Sequence, residues 1–128
     1  MGWPILEAVA VAWLNDRLSP TEVSTDLPDN VGQLEHGFVR VARGPGADDG
    51  VTDSPLLDVE AFHAERFKAA EIAERARAAA HAMTARLVNG TLIDSVNTTA
   101  SPHWVYYGPN VERYIASYRV EYRRRSAP

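Results

Sequence analysis

Four histidines, His36, His63, His81 and His103, are the side chains best suited to proton transfer or metal binding in this sequence. His63 and His81 stand 18 positions apart, a spacing that returns to one helix face. On a helix they would still be separated by ~27 Å at 1.5 Å per residue, too far to share an ion. No HxxxH or HExxH spacing occurs, so the histidines read as surface or cap residues. Asp48, Asp49 and Asp53 cluster in "DDGVTD", which lacks the alternating ligands and closing glutamate of a calcium loop. Gly44 and Gly46 in "RGPG" are followed by no Gly-Lys-Ser/Thr, and no glycine fingerprint opens a helix, so no phosphate cradle is expected. Asp58 and Glu60 share one strand face, but a single pair of carboxylates does not define acid–base geometry. There is no nucleophile elbow and no cysteine. The expectation is therefore no catalytic residue, no cofactor and no metal.

The other candidate chemistry is electrostatic. "RYIASYRVEYRRR" interleaves Tyr114, Tyr118 and Tyr122 with Arg113, Arg119, Arg123, Arg124 and Arg125. Tyrosine between arginines suits single-stranded nucleic acid. The sequence pI near 5.5 and the single lysine, Lys68, argue against a dedicated nucleic-acid binder. The alternative is that these arginines pair with acids of the Asp58 type on a neighbouring strand or subunit, or form a solvated tail.

The elements that must position these residues can be read from periodicity. Pro4 suits the first turn of a helix, and Ile5, Leu6, Val9, Ala10, Trp13 and Leu14 follow helical spacing, giving a helix over residues 4–17. "TEVSTDLP" predicts a short strand and "HGFVRVARG" a second, with Val39 and Val41 on one face and Phe38, Arg40 and Ala42 on the other. Residues 44–55 form a polar, glycine-rich loop, long for so small a chain and expected to be flexible. "PLLDVEAF" predicts a third strand with Leu57, Val59 and Ala61 together. "AERFKAAEIAERARAAAHAMTARLV" predicts a long helix whose buried stripe is Ala69, Ile72, Ala76, Ala80, Met83 and Leu87, stopped by Asn89-Gly90.

"TLIDSVNTTA" and "HWVYYG" predict strands, and Gly108-Pro109-Asn110 a turn into a final hairpin strand. In that strand Tyr114, Ala116, Tyr118, Val120 and Tyr122 take alternate positions and Arg113, Ser117, Arg119, Glu121 and Arg123 the others. Helical packing would need apolar residues at i+3 too, so the tyrosines line one strand face. The sum is an α+β domain over residues 1–128: a mostly antiparallel sheet of about five strands carrying two helices, with a short tail over residues 124–128.

At 128 residues the chain fits one domain with a sizeable core. The apolar run "WPILEAVAVAWL" has no basic flank and is interrupted by Glu7; it fits neither a signal peptide nor a membrane span. The expectation is a chain that stays in the cytoplasm at synthesis. The net charge of −4 is uneven. Residues 1–60 carry 3 basic and 11 acidic side chains, a balance of −8; residues 61–128 carry 10 and 6, a balance of +4. Either the folded chain is electrically polarised, which favours head-to-tail stacking, or the halves intermix and the asymmetry vanishes.

The ordered set "TDLPD", "GFVRVARGPG", "DSPLLDVEAFHAERFKAAEIAERARAAA" and "LIDSVNTTASPHWVYYGPNVERYIASYRVEYR" resembles the tail terminator (tail-completion) proteins of long-tailed bacteriophages. The resemblance lies in arrangement along nearly the whole chain, not in one invariant motif. It implies a structural virion protein at the head–tail junction, assembled in the host cytoplasm. Such a subunit closes into a ring, typically of six, that caps the tail tube and stops its polymerisation. Its implied partners are copies of itself, the tail tube protein and a head-completion or neck protein, with DNA passing through the channel unbound and no membrane involved. A head-closure or neck subunit is the nearest alternative. In such a ring Asp48, Asp49 and Asp53 would suit the lumen or a partner. Arg113, Arg119, Arg123, Arg124 and Arg125 would face another protein, away from DNA.

Overall fold

A computed structural model describes residues 2–124. The alternating tyrosines do form a strand, and that strand is the middle of the sheet. The elements are α1 (Leu6–Leu18), β1 (Glu22–Ser24), β2 (Phe38–Arg43), β3 (Thr52–Asp53), β4 (Leu56–His63), α2 (Arg66–His81), β5 (Arg86–Val88), β6 (Thr91–Trp104) and β7 (Glu112–Arg123), with a 3₁₀ turn at Val31–Gln33. The sheet runs β1-β2-β4-β7-β6-β5, and β3 pairs with the end of β7. Only β1–β2 is parallel. The fold is α+β, as the pattern predicts, with two helices on a mostly antiparallel sheet.

Both helices cover one sheet face. Leu6, Val9, Ala10, Leu14 and Leu18 of α1 and Ala69, Ile72, Ala73, Ala76, Ala79 and Ala80 of α2 are buried in one cluster with Val39, Val41, Leu57, Val59 and Ala61. The small alanine side chains let α2 approach the sheet closely, and Tyr118 and Tyr122, fully buried, supply the bulk from below. The indole Nε1 of Trp13 donates to the Ala79 carbonyl at 2.7 Å and ties the helices together. On the other sheet face Phe38 and Phe62, directly opposed across β2 and β4, pack with Val31, Val111, Leu27 and Leu34 into a second, smaller core.

The strand count exceeds the expected five for two local reasons. The long helix stops at His81, well before Val88. Ala85 takes φ +59°, and the next three residues turn back as β5. Asn89 (φ +48°) and Gly90 (φ +78°) are then the two central residues of a hairpin turn from β5 to β6, not a helix stop. Asn-Gly serves both purposes because each needs a left-handed backbone. Leu87, placed in the buried helical stripe by its spacing, is 71% exposed on β5, whereas Ala69, Ile72, Ala76, Ala80 and Met83 are buried as expected. Similarly, Ile5 precedes α1 and is 70% exposed instead of joining its apolar face.

The second addition is β3, inside the 44–55 connection expected to be a loop. Thr52 pairs with Arg123 and Asp53 with Tyr122. The Arg124 N–H donates to the Val51 carbonyl at 2.8 Å and the Val120 N–H to the Pro55 carbonyl at 3.1 Å. The two segments expected over residues 91–100 and 103–108 instead join as one 14-residue strand, β6, which ends at Trp104 and leaves residues 105–108 outside it, with register shifts near Asp94, Thr99 and Ser101-Pro102. These bulges spare a long strand a flat, adhesive edge.

Candidate assembly surfaces

The arginines do not act together. Arg113 lies in β7 opposite Phe62, and Glu60 is its diagonal neighbour on β4. Its guanidinium meets Glu60 Oε2 at 3.2 Å and donates to the Tyr106 carbonyl at 3.0 Å. Arg40 of β2 holds the other oxygen, Glu60 Oε1, at 2.6 Å. One carboxylate thus bridges two guanidiniums across three strands. Glu60 and Arg113 are only 14% and 16% exposed, so this lattice belongs to the subunit's own sheet. Arg119 donates to the Ser54 carbonyl at 2.6 Å and clamps the connection before β4. Arg123 reaches Asp94 at 3.2 Å on the surface, and Arg124 is exposed. Arg125 lies outside the described residues.

The aspartates also separate. Asp48 and Asp49 are exposed at the tip of the 44–55 connection and fold it locally. Asp48 Oδ1 accepts from the Gly50 N–H at 2.9 Å, while Asp49 Oδ1 accepts from Val51 and Thr52 N–H at 2.9 and 2.7 Å. The Thr52 and Val51 amides favour the charged carboxylate and hold Asp49 below its ordinary pKa. Asp53 has turned inward and is 5% exposed. Arg43 donates to Asp53 Oδ2 at 2.8 Å and to the Tyr122 hydroxyl at 2.7 Å, and that hydroxyl donates to the same carboxylate oxygen at 3.0 Å. Burial alone would raise the Asp53 pKa; the Arg43 and Tyr122 hydrogen bonds outweigh it and leave it below the usual value. A carboxylate so committed is not free to line a channel, so the acidic cluster reduces to Asp48 and Asp49.

His63 and His81 hold structure, while His36 and His103 are exposed. Glu65 N–H donates to His63 Nδ1 at 2.9 Å, which leaves Nε2 to donate to the Glu35 carbonyl at 3.0 Å. His63 ends β4 and is not on the helix with His81, which meets Thr98 Oγ1 at 2.7 Å. Among the described residues no group of three or more histidines and carboxylates could hold a metal ion. No helix among them is long and apolar enough to cross a membrane.

What stands out instead is the contrast between the sheet's two ends. Along the main sheet β1, β2 and β4 come from residues 22–63 and β7, β6 and β5 from residues 86–123, meeting at the β4–β7 seam, although the short β3 pairs with β7 and α2 packs on α1 and β4. Charges compensate at the seam, where Glu60 meets Arg113. Pairs form elsewhere too, such as Arg123 with Asp94 at 3.2 Å, but the exposed charges at the two sheet ends differ in sign. At the β1 end lies a shallow hollow of ≈ 520 Å³ lined by Ile5, Glu7, Ala8, Val11, Ala12, Ser24 and Thr25, with Glu22 and Asp26 exposed beside it. At the β5 end, Leu87 borders a hollow of ≈ 480 Å³ that includes Leu92, Arg123 and Arg124, and Arg86 is exposed alongside. Neither Arg86 nor Arg124 has a carboxylate within salt-bridge distance among the described residues. A third exposed group sits where β6 leaves the sheet: Trp104, Tyr106 and Tyr107, with Arg66 stacked 4.6 Å over the Trp104 ring. Sequence reasoning missed Leu87 and Ile5 because their spacing matched the adjoining helices, and missed Arg43 and Tyr122 because nothing local links them.

No protein-family model matches the chain, and no curated protein does. Among solved structures the fold is similar to a chain from the virion of a native gene transfer agent (GTA) particle, with 15% sequence identity and a TM-score of 0.65. The match covers 88% of this chain and 85% of the other. At that identity the likeness is one of fold.

Proposed function

We propose that this chain is a structural subunit of a phage-type virion, acting by assembly and not by catalysis. More specifically, it closes into a ring that caps the tail tube at the head–tail junction, ends tube growth and receives the neck. The observation that carries this reading is the fold likeness to a virion chain of a gene transfer agent over nearly the full length of both chains. The order of segments that resembles tail terminators points the same way. So do the two unlike ends of the sheet, because a ring needs two different patches on each subunit. In this reading the neighbours are further copies, a tube protein and a neck protein, and DNA crosses the channel without specific contacts.

The test is electron microscopy of the purified protein, alone and mixed with tail tubes, together with deletion of the gene. Rings at tube ends and over-long tails upon deletion are expected. Tails of normal length that fail to join heads would replace the terminator role with that of a head-closure or neck subunit. Steeply salt-dependent DNA binding would overturn the assembly role in favour of a nucleic-acid module.

A further inference from the structure

Ile5 and Leu87 are two large aliphatic side chains left 70% and 71% exposed, and they lie at opposite ends of one sheet. We infer that the hollow between α1 and β1 of one copy receives the β5 edge of a second copy, with Leu87 seated against Ile5, Ala8, Val11 and Ala12. This deepens the assembly reading proposed above and rests on it.

Three observations lead to this contact. The first is apolar fit: the α1–β1 hollow is walled largely by Ala8, Ala12, Val11 and Ile5, small enough to admit a side chain, and Leu87 projects from a strand edge with no described cover. The second is charge. Glu7, Glu22 and Asp26 flank the hollow, whereas the β5 corner carries Arg86, Arg123 and Arg124 with one carboxylate, Asp94, on Arg123. Opposite fields steer the two patches together and discourage like patches from meeting. The third is position. Because β1 and β5 are the first and last strands of the order β1-β2-β4-β7-β6-β5, a chain's two patches do not meet each other; each contact leaves one patch of each kind free for the next copy. Such a heterologous contact propagates head to tail. It joins side chains and does not extend the sheet, because the Val23 N–H of β1 is already held by Asn15 Oδ1 at 3.1 Å.

The natural chain has no cysteine, so introduced thiols report this contact alone. The double variant Ala8→Cys/Leu87→Cys, treated with oxidant or a short bis-maleimide, should yield a ladder of covalent dimers, trimers and larger species. An equimolar mixture of the two single variants should stop at the heterodimer, since each then has one reactive patch. Leu87→Asp, a surface change that leaves thermal unfolding unmoved, should weaken self-association about tenfold or more. Equal cross-linking by either single variant alone would show a like-to-like contact and overturn the inference. So would the absence of any adduct from the double variant across its soluble concentration range. The outcome is separable from the tail reading. A ladder without capped tubes keeps this contact and removes the tail role, whereas capped tubes without a ladder remove only this contact.

Discussion

Tyr118 and Tyr122 sit four residues apart on the same face of β7, and both are fully buried. Their hydroxyls differ. Tyr122 ends in a triangle with Arg43 and Asp53, under the 44–55 connection. Tyr118 lies beneath α2 with its ring edge-on to His81 at 5.8 Å, and its hydroxyl finds no hydrogen-bond partner among the described residues. Burial pushes both phenols up to about 12, helped at Tyr122 by the bond to Asp53. One tyrosine is bulk for the alanine helix; the other is a polar rivet between the sheet and the connection that carries Asp48 and Asp49. The same residue type on the same face thus does two jobs, decided by what lies above it.

The contrast can be broken outright at Tyr118. Tyr118→Ala removes the largest side chain beneath α2 and should cost about 3–5 kcal/mol, read as a lower denaturant midpoint at unchanged slope. A smaller change would mean that α2 settles into the space. At the other site, Tyr122→Phe keeps the bulk but leaves Arg43 and Asp53 short of a partner. A loss of about 1–3 kcal/mol is expected, with earlier proteolytic cutting in residues 44–55. If the connection stays as resistant as in the parent chain, the rivet is not what holds it.

Acid should sharpen the difference further. Asp53 has a folded pKa below its ordinary value, so its contribution is present above the unfolded pKa of about 3.9 and is lost as pH falls through the folded value. The stability gap between the parent chain and Asp53→Asn should therefore narrow as pH falls below the ordinary carboxylate value of about 3.9 and on through the lower folded one. At the alkaline end the raised tyrosines act in the opposite direction. Their contribution is intact below the ordinary value of 10.0 and is lost as pH rises towards about 12. The smallest effect is expected for Tyr118→Phe. Removing a hydroxyl that has no partner should leave stability within about 0.5 kcal/mol of the parent or raise it. A clear loss would reveal a hidden hydrogen bond and erase the distinction between the two tyrosines.

Strong periodicity was legible. The alternation of residues 114–122 gives β7 its inward face, and Leu57, Val59 and Ala61 give β4 its own. The alanine stripe from Ala69 to Met83 is also buried where its spacing puts it. Short elements were not legible. Three residues of β5 have too little pattern to compete with a helix next door, and two residues of β3 exist only because β7 offers a partner. The candidate site suffered more. Arg113 reads as an outward arginine from alternation; it does sit on the face away from the helices, but it is only 16% exposed there, and only the three-strand register shows that Glu60 lies within its reach. Asp53 stands four residues from Asp49, yet one faces inward and the other outward, because Arg43 and Tyr122 draw the first one in. Charge asymmetry between chain halves was visible, but the sheet order decides whether it survives folding, and the order β1-β2-β4-β7-β6-β5 preserves much of it.

The β4–β7 seam has a kinetic consequence. Residues 56–63 pair with residues 112–119, so α2, β5 and β6 must all be accommodated before the two halves zip together. Closing so long an excursion is entropically slow, and folding should belong to the millisecond-to-second class of non-local β pairings, roughly, not the microsecond class of helical bundles. The β5–β6 hairpin, by contrast, is local and should form early. During the interval β4 presents Leu57, Val59 and Ala61 on an open edge, and any chain's β7 can close it. Two half-folded copies could therefore exchange halves, so that crowded refolding yields swapped dimers while dilute refolding yields the native chain.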